Sequence, residues 1–131
     1  MGPIVQRHLD TCQLETVDFS IYRDDGLDIL KNGIEDLPAF TEHLESLHPN
    51  LRWETASGRE GAYLDLYLTI ENGKIESKVY TKSPPIYLHP TSCHDTSVFK
   101  GLVYGVGRRL RLNCSKDEDF DEAVELSLIH I

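Results

Sequence analysis

A chain of 131 residues is the size of one small domain or a piece of a larger one, and 27% charged residues argue against a membrane protein. No apolar run approaches the ~20 residues that a spanning helix needs. The start, Met1-Gly2-Pro3-Ile4-Val5-Gln6-Arg7-His8, has no apolar signal-peptide core, so an intracellular chain, cytoplasmic or nuclear and not secreted, is expected.

Residues 1–15 show no clear period. Val17, Phe19 and Ile21 then alternate with Asp18, Ser20 and Tyr22, which is a strand pattern. Arg23-Asp24-Asp25-Gly26 interrupts it and Leu27-Asp28-Ile29-Leu30 resumes, so a hairpin with an Asp-Gly turn is expected. Asp36 is a candidate N-cap for a helix with Pro38 in its first turn. Leu37, Phe40, Leu44 and Leu47 share one face of that helix, and His48-Pro49-Asn50 ends it. Leu51–Thr55 reads as a short strand, and residues 56–61 as a loop.

Leu64, Leu66, Leu68 and Ile70 alternate with Tyr63, Asp65, Tyr67 and Thr69 as one strand. Asn72-Gly73 suits a type I′ turn. The return strand places Lys78, Tyr80 and Lys82 on one face and stops at Ser83-Pro84-Pro85. After a loop over 86–96, residues 97–112 read as a helix with Phe99, Leu102, Val103, Val106 and Leu110 inward and Lys100, Arg108 and Arg111 opposite. Residues 117–126 read as a short acidic helix, and 126–131 as a non-native tail. The expected fold class is α+β: two β-hairpins plus a short strand, with helices packed on one side.

Three groups of residues bear on chemistry. In Tyr22-Arg23-Asp24-Asp25, two carboxylates at a turn have the hard oxygen donors that Mg²⁺ takes. A pair of such ions serves in-line phosphoryl displacement; Asp-Asp-Gly is also ordinary turn chemistry. His89, Cys93, His94 and Cys114 have ligand-type side chains but match no standard zinc spacing. They are expected to pack or cap the loop, and their role stays open. Cys12, Cys93 and Cys114, an odd number, point to reduced thiols.

The third group is basic. The net charge is −9, yet residues 74–116 hold eight basic and two acidic residues, and 117–131 hold six acidic and none basic. Lys78, Tyr80, Lys82, Lys100, Arg108 and Arg111 are therefore candidate nucleic-acid contacts, with a solvated face as the alternative.

The order of these features resembles reverse transcriptases of Penelope-like and related animal retroelements, over roughly residues 16–125. Y-x-D-D between two strands is their palm signature. The helix ending in His48-Pro49-Asn50-Leu51-Arg52-Trp53 is similar to the next palm step, and Tyr63-Leu64-Asp65-Leu66 to the start of the hairpin that grips the primer. Val79-Tyr80-Thr81-Lys82 with Tyr87-Leu88-His89-Pro90-Thr91-Ser92-Cys93-His94 resembles the region beyond it.

The resemblance implies a fragment of an RNA-directed DNA polymerase, with an RNA template and a DNA primer as partners. It makes Asp24 and Asp25 catalytic Mg²⁺ ligands and puts Tyr22 near the primer end. Residues 1–82 would be partial palm and 83–125 a loop and basic helical region. The family uses a third aspartate on a separate upstream strand. Asp18 is six residues from Asp24, about 20 Å in an extended chain, and cannot supply it. The chain alone is thus expected to be inactive. The alternative is a non-catalytic nucleic-acid-binding or interaction module from a degenerate retroelement.

Overall fold

The computed structural model describes residues 16–83, 86–89 and 91–130. The readings at Cys12, at Pro84-Pro85 and at Ile131 lie outside these residues. The described chain is α+β, with two antiparallel sheets and three α-helices. It divides into two compact units, Met1–Arg59 and Glu60–Ile131, so the boundary falls inside the stretch 1–82 read as one piece.

In the first unit, β1 (Thr16–Tyr22) pairs with β2 (Asp25–Leu30). Phe19 stands opposite Asp28, Ile21 opposite Gly26 and Tyr22 opposite Asp25, with a register shift between Thr16 and Phe19. The turn is therefore Arg23-Asp24, two residues before the expected Asp25-Gly26. Arg23 takes φ 56°, in the left-handed region that residues with a side chain seldom adopt. Gly26 lies in the strand instead. A Cβ there would sit 3.7 Å from the Trp53 ring and 3.9 Å from the Phe19 ring, so this glycine marks where strand and rings come close.

A turn of 3₁₀ helix, Gly33–Asp36, leads into α1 (Leu37–Ser46). Asp36 holds the N-cap position without a side-chain cap bond; its carboxylate instead accepts from Asn32 Nδ2 at 3.1 Å. A lone hairpin is marginal in water and needs a helix to cover a face. Here Phe19, Phe40, Leu44 and Leu47 form the buried cluster, with Ile21, Leu30, Leu37 and Trp53 against it. The Phe19 and Phe40 rings meet edge to face, centroids 6.4 Å apart. The expected strand over Leu51–Thr55 is absent. The segment alternates half-buried Leu51, Trp53 and Thr55 with exposed Arg52 and Glu54, as a strand would, but joins no ladder. Its anchors are Trp53 on the core and the Thr55 hydroxyl, 2.7 Å from that of Thr41.

The second unit starts with β3 (Glu60–Tyr63), β4 (Leu66–Glu71) and β5 (Lys74–Val79), in that spatial order. The strand expected to run unbroken through Tyr63–Ile70 is instead two strands around a Leu64-Asp65 turn, with Tyr63 opposite Leu66 and Leu64 at φ 54°. The Tyr80 N–H donates to the Asp65 carbonyl at 2.8 Å, and the Arg109 guanidinium lies 3.0 Å from the Asp65 carboxylate, so both hold this turn. Asn72 and Gly73, at φ 50° and 74°, form the expected type I′ turn.

Two helices follow, α2 (Thr96–Asn113) and α3 (Asp117–His130), so α3 runs on through the residues read as a tail, and Ser127 is buried. Leu110 is buried and Phe99, Leu102 and Val106 are half-buried, but Val103, expected inward, is 56% exposed. Asp95 caps α2, accepting from the Ser97 N–H at 2.8 Å. The connection between the helices bonds to the β5 edge of the sheet at one residue, Ser77. The Ser115 N–H donates to the Ser77 carbonyl, and the Ser77 N–H to Ser115 Oγ, both at 2.8 Å. An edge strand left with free donors and acceptors invites pairing with another chain. Lys116 sits between Glu76 and Glu71, 3.4 Å from the latter.

Candidate functional site

The acidic hairpin lies in the first unit. Because Tyr22 pairs with Asp25 across a two-residue loop, Tyr22, Asp24 and Asp25 cluster at the hairpin tip, and all three are exposed. The residues that face the core, Phe19 and Ile21, leave Tyr22 and Asp25 to the other face of the ribbon. The Arg23 guanidinium folds back over the Tyr22 ring, 5.5 Å from its centroid. Asp18 belongs to the same strand four residues before Tyr22, away from the tip.

Two exposed neighbouring carboxylates leave most of an octahedral Mg²⁺ shell to other donors. Among the described residues, no group of three or more His, Cys, Asp or Glu side chains could hold a metal ion. The described residues therefore do not by themselves fit the metal that the Y-x-D-D pattern implies.

The His and Cys residues do not converge either. His89 Nδ1 lies 2.7 Å from the Thr91 hydroxyl and His94 Nδ1 3.1 Å from that of Ser92, so each ring closes its own small turn. Cys93 is exposed and Cys114 buried at the end of α2, and both are free thiols.

The basic residues lie in the second unit, in two groups. On the sheet, Lys78 stands directly opposite Tyr67, with its ammonium 5.5 Å from the ring centroid. The Tyr80 ring is 6.2 Å from the same ring. Tyr67, which the sequence does not single out, is thus the centre of this group. Partial burial, then the charge and hydrogen bond of Glu60, push its phenol above the ordinary range. Lys82 lies in a bend beyond the end of β5, outside the strand on which it is expected.

On α2, Lys100 and Arg108 are exposed. Arg111, expected beside them, is already engaged: its guanidinium lies 2.6 Å from the Asp117 carboxylate and 5.3 Å from the centre of the Phe120 ring. Arg109, in the same basic run, is tied to Asp65. Of four cations on this helix, two therefore hold the unit together and two remain outward.

Among the described residues no helix is long and apolar enough to cross a membrane. Residues 86–128, about a third of the chain, match the model of the animal helix-turn-helix domain family. The stretch contains all of α2, the three-residue connection Cys114-Ser115-Lys116 and most of α3, as two helices joined by a short turn require. No curated protein and no solved structure matches the chain.

Proposed function

We propose that the chain is the rear of a reverse-transcriptase palm together with a nucleic-acid-holding region behind it, and that it does not polymerise DNA alone. The observation that carries this reading is the hairpin tip, where a tyrosine and two carboxylates share one exposed end. In such a palm Asp24 and Asp25 are two carboxylates of the metal site, Tyr22 lies near the primer end, and a third carboxylate comes from outside the described residues. The partners of that parent are an RNA template and a DNA primer.

Nucleic-acid contact belongs to the second unit. The helix-turn-helix match supports it, but the chemistry restricts which element makes it. In a DNA-reading helix-turn-helix, the second helix enters the major groove by its N-terminal residues. Here that helix begins Asp117-Glu118-Asp119 and carries no lysine or arginine, so phosphates repel it. The contact therefore falls to α2 and the Lys78 face of the sheet.

Primer extension tests the reading. The chain alone should give no template-dependent product. Joined in one polypeptide to a palm segment that carries a further acidic strand, it should extend a primer, and Asp24→Asn or Asp25→Asn should abolish extension. Template-dependent synthesis by the chain alone, or an indifferent Asp25→Asn, would contradict it.

A second reading, a non-catalytic nucleic-acid-binding module, is favoured by the incomplete metal site together with the helix-turn-helix match. Mn²⁺ titration with a duplex bound separates the two. Paramagnetic broadening confined to the signals of Asp24 and Asp25 favours the polymerase fragment, and none there favours the module.

A further inference from the structure

The outer face of α2 carries a residue that neither the Y-x-D-D pattern nor the basic block explains. Tyr104 is 72% exposed, midway between Lys100 and Arg108. At about 100° per residue these three lie within an arc of about 80°, whose middle residue, Tyr104, is about 120° from buried Leu110. At 1.5 Å per residue the two cations stand about 12 Å apart along the axis, with the ring about 6 Å from each. Among the described residues, neither cation makes an ion pair, unlike Arg109 and Arg111.

Beside this row are Gly101 and Gly105. A Cβ at either would meet nothing within 4 Å, so no internal packing calls for glycine there. Each costs the helix about 1 kcal/mol relative to alanine. Bare backbone next to an exposed ring suits a flat partner that comes close to the helix.

We infer that the Lys100–Tyr104–Arg108 row, with Gly101 and Gly105 beside it, is a contact track for single-stranded nucleic acid, in which Tyr104 stacks on a base and the two cations hold phosphates. Charge complementarity sets the polyanion. The aromatic ring sets the single strand, because a base inside a duplex has no free face to stack on, whereas an unpaired one does. The inference rests on the nucleic-acid reading above and names the residues that carry it out.

The test uses the full chain and fluorescence anisotropy with a labelled oligothymidylate of about 20 nucleotides, beside a blunt duplex of equal length. The single strand should bind more tightly. Tyr104→Ala should weaken that binding about 5- to 150-fold, the range for losing one base–aromatic stack, and leave the salt slope unchanged. Tyr104→Phe should bind like the parent. Lys100→Ala with Arg108→Ala should lower the slope of log affinity against log salt by about 1.4, two phosphate contacts on a single strand. Gly105→Ala should raise the melting temperature and still weaken binding, a combination that a structural role alone does not produce.

Parent-like affinity of Tyr104→Ala, or tighter binding of the blunt duplex, would overturn the inference and leave nucleic-acid binding standing. If the parent chain binds neither probe at low salt, nucleic-acid binding itself fails and takes the inference with it.

Discussion

Left-handed backbone at single residues decides where two turns fall: that of the first hairpin, expected within Arg23–Gly26, and the unexpected one at Leu64-Asp65. Arg23 and Leu64 occupy φ values that cost a side-chain-bearing residue roughly 1–2 kcal/mol. Neither is Gly or Asn, so nothing in the residue type announces a turn. The alternation of leucines runs straight through Leu64-Asp65, while Asp25-Gly26 has turn chemistry and lies in a strand. By contrast Asn72-Gly73 is legible, because both residues accept positive φ. Leu64→Asn should therefore stabilise the protein by roughly 1 kcal/mol in urea unfolding, since Asn tolerates this conformation. Gly73→Ala should destabilise it by about 1 kcal/mol or more, because a Cβ is strained at φ 74°. An unchanged midpoint for either would place the strain elsewhere.

Among the elements, α1 is the most legible in the sequence. Leu37, Phe40 and Leu44 of the helix and Leu47 at its C-cap recur at helical spacing and belong, with the hairpin residue Phe19, to one core. Phe40→Ala should cost about 3–5 kcal/mol, and weakened near-ultraviolet dichroism from the first unit would report it. Leu51–Thr55 has the pattern of a strand because its burial alternates, but it has no partner strand, and periodicity alone cannot supply one.

The ends of α2 are only partly legible. The helical period starts at Ser97 and does not mark Asp95 as the cap, although an Asp two residues before Ser97 is an ordinary signal. The bonds from Ser97 hold the Asp95 carboxyl below its usual range. A depressed carboxylate stabilises the fold above its unfolded pKa, and that contribution fades as pH falls through the folded value. Asp95→Ala should thus lower the melting temperature at neutral pH, with the gap to the parent closing in acid.

Lys116 behaves in the opposite sense. Its hydrogen bond to Glu76, then its contact with Glu71, raise its pKa against the effect of burial. Its contribution is present below the unfolded lysine value and is lost as pH rises through the folded one.

For the whole molecule, charge distribution carries the useful signal and leaves one part unread. The basic block is visible as a count over residues 74–116, but which cations are outward depends on tertiary partners. Asp65 takes Arg109, Asp117 and Phe120 take Arg111, and the glutamates take Lys116. Among the described residues Lys74, Lys78, Lys82, Lys100 and Arg108 make no ion pair, and Lys78, Lys100 and Arg108 are the three that the proposed nucleic-acid contact uses. The carboxylate pair is legible in the opposite way: its place at a hairpin tip follows from the strand pattern, whereas the third carboxylate of the proposed metal site would come from outside the described residues.

The most direct measurement is the salt dependence of binding to a template–primer with a single-stranded overhang, for the parent chain and for Lys78→Ala/Lys100→Ala/Arg108→Ala. The expected result is that log affinity falls linearly with log salt for the parent and that the triple substitution flattens the slope by about 2–3, one unit or slightly less for each phosphate no longer held. A parent chain whose binding ignores salt, or a triple variant with the parent's slope, would contradict it.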